Sequence, residues 1–122
     1  MVKLLLETGK VDVDSMNSYM QTPLWLAAER GHVAVVKLLL ETGKVDIDFK
    51  DLYSRTPLWW AAKRGHEAMA KMLLKTGKVN VDSMDYFGRT PLWLAEEGGH
   101  EAVAKLLLSY ASLSHARRMA KL

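Results

Sequence analysis

The stretch Thr56-Pro57-Leu58-Trp59 occurs three times in the chain, and the other two copies begin at Thr22 and Thr90. Successive copies are 34 residues apart. A second tetrapeptide, Thr-Gly-Lys-Val, keeps the same spacing, with copies that begin at Thr8, Thr42 and Thr76. A fixed period of this length indicates that one unit of secondary structure was copied and stacked. Stacked repeats usually display a long side-chain surface to a partner and seldom carry out chemistry.

The copy around Thr56 predicts a short first helix. Thr56 is a favourable N-cap and Pro57 a favourable first helical residue, and apolar residues follow them. Gly65 ends this helix because glycine adopts the left-handed conformation without strain. The sequence therefore predicts about two helical turns, followed by a corner at His66.

A second helix is predicted over residues 67–75, where apolar residues recur at helical spacing. Gly77 ends it, and residues 78–82 alternate apolar and polar, which indicates an extended finger. Helices this short are marginal in isolation, so packing against neighbouring copies must stabilise them. The tetratricopeptide repeat, which has the same period, fits poorly because glycines stop each first helix early, at Gly31, Gly65 and Gly99.

Residues 85–92, Asp-Tyr-Phe-Gly-Arg-Thr-Pro-Leu, resemble the ankyrin repeat, whose pattern continues into a Gly-His corner and an apolar helix. The Gly-His corner recurs at Gly99-His100, and further matches run over residues 22–32 and 56–66. The resemblance covers roughly residues 1–109. It implies an all-α helix-turn-helix solenoid with short extended finger loops.

The chain departs from the family pattern at one repeated position, since tryptophan replaces the family's histidine at Trp25, Trp59 and Trp93. In the family that histidine hydrogen-bonds between neighbouring repeats, and a periodic stack of indole rings is expected in its place. We expect these tryptophans in the core. Ser54 also stands where the third copy keeps the family's glycine, Gly88.

We predict one domain divided into repeats: an N-terminal half-repeat over residues 1–16, repeats over 17–50, 51–84 and 85–109, and a tail over 110–122. The half-repeat lacks its first helix, so its leucines are expected to be exposed, which suggests a piece of a longer array or self-association. At the other end, Glu96 replaces the alanines of the earlier copies, as a face open to water requires. The tail has no glycine or proline, so it could continue or restart a helix and fold back with Arg117 or Arg118 near Glu96, or it frays.

The composition and charge of the chain disfavour several classes of function. The 122-residue chain is 49% hydrophobic and 25% charged, with a net charge of +3 and no cysteine. This charge is too small to indicate nucleic-acid binding on its own. No apolar run reaches membrane-spanning length, and the first residues do not form a signal peptide. We therefore expect an intracellular protein, cytoplasmic or nuclear, without a membrane span.

No residue pattern predicts catalysis, a cofactor or a metal. The corner histidines, His32, His66 and His100, recur one per repeat, and packed helices lie too far apart for them to share an ion. They are expected to bond local backbone. The aspartates that recur in the fingers are expected to form a solvated face, and no Ser/His/Asp set or cysteine nucleophile is present.

The predicted function is binding to a protein partner. In the ankyrin family, partners usually contact the finger tips and the exposed part of the first helix, which here are Tyr19, Gln21, Arg30, Leu52, Tyr53, Arg55, Lys63, Arg64, Tyr86, Phe87 and Arg89. Tyr19, Tyr53 and Phe87 are in register, so they predict an aromatic column flanked by Arg55 and Arg89. Because cations predominate, a partner with an acidic rim would suit this face.

Other readings remain open at this point. The chain is alternatively a structural or self-associating module, a fragment of a longer array, or an engineered, consensus-like protein without an evolved partner. A homo-oligomer would form through the open half-repeat. Nucleic-acid binding would need the basic face to extend over the fingers, where aspartates accompany Lys10, Lys44 and Lys78.

Overall fold

A computed structural model of the chain describes the backbone of residues 21–120 and the side chains of residues 21–111. The predicted half-repeat, Tyr19 and the side chains of Arg117 and Arg118 lie outside the described residues. All regular elements in the described part are helices: α1 (Pro23–Arg30), α2 (Val33–Glu41), α3 (Pro57–Arg64), α4 (Glu67–Lys75), α5 (Pro91–Glu97) and α6 (Glu101–Ala120).

The helices form three layers, each a first helix packed on a second: α1 with α2, α3 with α4, and α5 with α6. The first helices contact one another in the order α1, α3, α5, and the second helices in the order α2, α4, α6. Apolar side chains are buried from layer to layer, including Leu24, Leu58 and Leu73. This arrangement confirms the predicted all-α helix-turn-helix solenoid.

The first helices begin as the Thr-Pro signal predicts. The Oγ1 atom of Thr56 accepts a 3.2 Å hydrogen bond from the backbone N–H of Trp59, and Pro57 occupies the first turn. At the other end of α3, Gly65 has φ 70° and caps the helix in the left-handed conformation. Thr22 and Thr90 cap α1 and α5 in the same way.

The second helices end at a threonine followed by a glycine. In α4 the Thr76 hydroxyl donates to the carbonyl of Leu73 at 2.7 Å and accepts from the N–H of Lys78 at 3.2 Å. Gly77 then has φ 70°, a conformation that favours glycine, so the chain leaves the helix there. α2 ends in the same way at Thr42.

The last helix continues into the predicted tail, residues 110–122. α6 contains 20 residues, whereas α4 contains 9. Tyr110 and Ala111 occupy the positions that Thr76 and Gly77 hold one repeat earlier, so both parts of the stop signal are missing. The backbone therefore continues as one helix to Ala120.

In the described part of the chain, the predicted fingers form turns and do not pair as β-strands. The N–H of Asp82 donates to the side-chain Oδ1 of Asn80 at 3.0 Å, and the N–H of Asn80 donates to Oδ2 of Asp48 at 2.8 Å. The second bond joins adjacent fingers. Asp48 is half-buried and its Oδ1 has no partner within the described residues. The prediction of a solvated aspartate face was therefore wrong for Asp48.

Candidate functional site

The candidate site is built from two turns, residues 51–55 and 85–89, which we call the tip turns. In the second, Oδ1 of Asp85 accepts the N–H of Phe87 at 2.8 Å and the N–H of Arg89 at 3.0 Å. Asp51 closes the first tip turn through the equivalent residues. Aspartate suits this position because its short side chain bonds backbone N–H groups just ahead of it. Both turns are thereby held rigid, with their aromatic residues at the surface.

The other oxygen of each aspartate joins neighbouring layers. Oδ2 of Asp85 accepts the indole Nε1–H of Trp59 at 2.8 Å and the Nε–H of Arg89 at 2.7 Å. Asp51 repeats this arrangement with Trp25 at 2.9 Å and Arg55 at 2.8 Å. Tryptophan thus makes the contact between repeats that the family's histidine provides. The indoles bond carboxylates and do not form the expected periodic stack.

These hydrogen bonds set the charge state of Asp85. Burial alone would raise the pKa of its carboxyl group, because it disfavours the charged form. The bonds from the Arg89 backbone, the Trp59 indole, the Arg89 guanidinium and the Phe87 backbone outweigh burial and lower the pKa below its ordinary value. Asp85 is therefore an anion with all its acceptor directions engaged.

One tryptophan stands outside this pattern. Trp93 was expected in the core but is 47% exposed, whereas Trp25 and Trp59 are buried. The residue 26 positions after Trp93 is Met119, which has no carboxylate to accept the indole N–H. Trp93 also lies in α5, the first helix of the third layer. No further layer within the described residues covers it.

Trp60 is a buried residue whose role the sequence did not reveal. Its ring contacts Trp25 and Trp59 edge to face, with centroids 5.1 Å and 4.8 Å apart. Its Nε1 has no hydrogen-bond partner within the described residues. The equivalent positions hold Leu26 and Leu94, so the exceptional tryptophan at this position was the available signal.

The arginines of the tip turns are partly built into the structure. The Arg55 guanidinium lies 4.9 Å from the centroid of the Tyr53 ring and 5.1 Å from that of Trp60. The Arg55 side chain is 22% exposed and that of Arg89 34%. Each arginine bonds its aspartate through Nε, and its Nη atoms make no hydrogen bond within the described residues. These two arginines are therefore structural ties with exposed edges, not free surface side chains.

The two tip turns are held in register and enclose a cleft. The N–H of Tyr86 donates to the carbonyl of Tyr53 at 2.9 Å. A cleft of about 200 Å³ lies between the turns, lined by Tyr53, Arg55, Asp85, Phe87 and Arg89. Tyr53 is 55% exposed and Phe87 71%, so the rings form its open walls. Tyr53 and Phe87, predicted to be neighbours, do line one cleft.

The remaining predicted site residues surround the cleft less closely. Leu52 and Tyr86 are exposed in the tip turns, and Arg30, Lys63 and Arg64 are exposed where the first helices end. Gln21 is half-buried and Tyr19 lies outside the described residues. Arg64 reaches the carboxylate of Glu29 at 3.9 Å and lies 5.2 Å from the Trp60 ring. These three cations lie in the last turns of the first helices and do not line the cleft.

Two of the corner histidines, His66 and His100, contact the preceding layer, and for His100 this corrects the expectation of a local backbone bond. A ring nitrogen of His100, Nε2, lies 3.2 Å from the carbonyl of Lys63, which is 37 residues earlier. The His100 ring also covers Gly65, and His66 covers Gly31 in the same way. In the described part of the chain, His, Asp and Glu side chains form no group of three able to hold a metal ion. Nor does any described helix combine the length and apolar character of a membrane span.

Layers of paired helices, tied by tryptophan–aspartate bonds and ending in exposed tip turns, define a helical repeat scaffold. A family model described as Ankyrin repeats (3 copies) matches residues 1–51 and 43–117. The chain therefore belongs to the ankyrin repeat family. Ankyrin repeats are generally protein-interaction modules and typically non-catalytic scaffolds. A search of curated proteins found no match to the chain.

Proposed function

We propose that this chain is a non-catalytic scaffold that binds a protein partner through its tip surface. The tip surface consists of the exposed parts of Leu52, Tyr53, Arg55, Tyr86, Phe87 and Arg89. Arg30, Lys63 and Arg64 extend it along the first helices, and Tyr19 and Gln21 would extend it by one repeat. A partner with an acidic rim suits the excess of cations.

The register of the two tip turns carries this proposal. The 2.9 Å bond between the Tyr86 N–H and the Tyr53 carbonyl fixes three exposed rings, those of Tyr53, Tyr86 and Phe87, on adjacent layers. Exposed apolar groups of this kind are costly unless a partner covers them. Aromatic and arginine side chains are also the residues that most often dominate binding energy at interfaces. A rigid aromatic surface loses little conformational entropy when it binds.

The test compares the wild-type protein with the double variant Tyr53→Ala/Phe87→Ala as affinity baits. Arg55 and Arg89 are left intact because they form ion pairs with Asp51 and Asp85 that hold the tip turns. Met84→Ala is the control, since Met84 is 55% exposed, as Tyr53 is, but does not line the cleft. Partners held by wild type and Met84→Ala would be purified and titrated against all three proteins. Equal affinity for the double variant would refute binding through the tip surface.

A second candidate function, self-association, is favoured by exposed apolar groups on the last layer. Leu108 is 50% exposed and borders an open cleft of about 320 Å³ that Ala104 and His100 also line. Homo-oligomers through the N-terminal half-repeat belong to the same proposal. Light scattering over a hundredfold concentration range tests it, because a constant monomer mass would remove this candidate. We also propose an intracellular location, cytoplasmic or nuclear, which the cysteine-free sequence supports.

A further inference from the structure

We infer that the cleft between the two tip turns takes an acidic side chain, next to an apolar one, from an extended peptide segment of the partner. This inference rests on the proposed function and specifies the chemistry of the partner. It follows from how the charges in the cleft are engaged. Two arginines and one aspartate line the cleft, but they are not equally available to a ligand.

The aspartate is unavailable. Oδ1 of Asp85 accepts two backbone N–H groups, and Oδ2 accepts the Trp59 indole and the Arg89 Nε–H. Its side chain is 1% exposed. A cation in the cleft would therefore find no free carboxylate oxygen unless it displaced a hydrogen bond of the tip turn, of Arg89 or of the boundary between layers.

The arginines present unused donors. Arg55 and Arg89 each bond an aspartate through Nε alone, which leaves their Nη groups free of protein acceptors within the described residues. The Arg55 and Arg89 side chains are partly exposed and line the cleft together with Tyr53 and Phe87. A carboxylate matches the planar donor geometry of guanidinium. A bound peptide that covered the exposed rings would exclude water from these hydrogen bonds and so strengthen them.

The size of the cleft limits its occupant to a side chain. Its volume of about 200 Å³ is below the roughly 300–1,000 Å³ of small-molecule sites. The exposed faces of Tyr53 and Phe87 would contact an apolar residue beside the acidic one. A continuous phosphate backbone fits less well, since exposed Asp46 and Asp82 lie in the fingers that precede the tip turns.

The test begins with the unmodified protein and a displayed library of random linear 12-residue peptides. Enriched sequences should carry aspartate or glutamate next to an aliphatic or aromatic residue. The strongest peptide is then compared with a copy in which the acidic residue is replaced by its amide. Because a hydrogen bond to a charged group is lost, the amide peptide should bind about tenfold or more weakly. Affinity for the acidic peptide should also fall as salt is added.

Side-chain NMR locates the bound peptide. The Nε–Hε signals of Arg55 and Arg89 should shift on titration with the acidic peptide, while the backbone N–H signal of Lys71 in α4, outside the tip surface, stays in place. Phe87→Ala should lower the affinity for the peptide several fold, and Met84→Ala should leave this affinity unchanged. Phe87→Ala keeps the backbone N–H that donates to Asp85, and the Met84 side chain is exposed, so both variants should fold.

The possible outcomes separate this inference from the broader proposal. Neutral or basic peptides that still require Phe87 would overturn the acidic specificity and leave the tip surface as the binding site. Acidic peptides that bind equally well to Phe87→Ala and do not shift Arg89 would overturn both. A library with no enriched sequence would overturn the inference, because the cleft would then take no linear segment, while the affinity experiment above still decides the proposed function.

Discussion

The indole Nε1 of Trp59 donates a 2.8 Å hydrogen bond to Oδ2 of Asp85, which lies 26 residues later in the next layer. Trp25 and Asp51 make the same contact at 2.9 Å. Each aspartate also closes its own tip turn, so one carboxylate serves both the turn and the boundary between layers. The tip surface is thereby connected directly to the contacts that stack the repeats.

Removing the Asp85 carboxylate should destabilise the protein strongly. Asp85→Ala deletes four hydrogen bonds and leaves the buried indole N–H of Trp59 without its acceptor. Because a hydrogen bond to a charged group contributes about 1.5–3 kcal/mol and the bonds are not additive, we expect a loss of about 2–4 kcal/mol. Urea unfolding measures it. Glu96→Ala, which removes an exposed carboxylate, should stay within about 0.5 kcal/mol.

Acid should destabilise the wild type in part through Asp85. A carboxyl whose pKa is lowered on folding contributes stability that is present above its unfolded pKa and is lost as the pH falls through the folded pKa. The free energy of unfolding should therefore decline between about pH 5 and pH 2. Urea unfolding across this range should give a shallower decline for Asp85→Asn. Equal slopes would mean that Asp85 does not titrate differently in the folded state.

Asp48 should show the opposite dependence. Burial raises the pKa of its carboxyl group above the ordinary value, despite the hydrogen bond from the Asn80 N–H and with a further contribution from Asp46. The stability that protonated Asp48 contributes is fully present below its pKa in the unfolded chain. It is lost as the pH rises through its pKa in the folded protein. Asp48→Asn should therefore raise the melting temperature relative to wild type more at pH 7 than at pH 3. A difference independent of pH would contradict this account.

Gly65 should tolerate alanine less well than Gly77 does. Both have φ near 70°, so both substitutions carry a backbone cost of about 1–2 kcal/mol. At Gly65 an added Cβ would also collide with the His100 ring, whereas at Gly77 it would meet no atom within 4 Å. Urea unfolding of the two variants should show the larger loss for Gly65→Ala. Equal losses would show that His100 moves aside at no cost.

Restoring the threonine–glycine stop should shorten α6. The double change Tyr110→Thr/Ala111→Gly recreates the residues that end α4, so the helix should end near Ser109 in place of Ala120. Circular dichroism at 222 nm should show the lost helical turns, and hydrogen exchange should place the loss after Ser109. Tyr110→Ala alone provides no left-handed stop and should retain the long helix.

Core and surface should respond differently to truncation. Leu73 is fully buried between layers, so Leu73→Ala should cost about 2–5 kcal/mol. Tyr53→Ala removes an exposed ring and should stay within about 0.5 kcal/mol, apart from its contact with Arg55. Urea unfolding of both variants tests this. A loss at Tyr53 as large as that at Leu73 would make the tip surface structural.

The sequence predicted those features that depend on neighbouring residues. The bounds of α3 and α4 follow from Thr56, Pro57, Gly65 and Gly77, because caps and left-handed stops are local. The repeat period then predicted the solenoid, since equivalent residues in stacked copies become neighbours. The exposed positions of Tyr53 and Phe87 in adjacent turns also followed from this period.

The features that were missed depend on contacts between layers. Whether a tryptophan is buried is decided by the next first helix, so Trp93 looked equivalent to Trp59 in the sequence but is half exposed. Arg55 looked like a free surface cation, and only the fold brings its guanidinium against Asp51 and three tryptophans. The sequence allowed α6 to continue into the tail, since no glycine or proline follows Leu108, and left a frayed end as the alternative. Binding by the tip surface stays a prediction.

The bond from the Tyr86 N–H to the Tyr53 carbonyl has a mechanical consequence. Like the tryptophan–aspartate pairs, this bond crosses a single boundary between repeats. Because each repeat contacts only its neighbours, a chain pulled from its ends should unfold and lengthen one repeat at a time. A peptide bound between Tyr53 and Phe87 would contact both repeats and reversibly strengthen the boundary between them. The force at which the last two repeats separate would then report whether the cleft is filled.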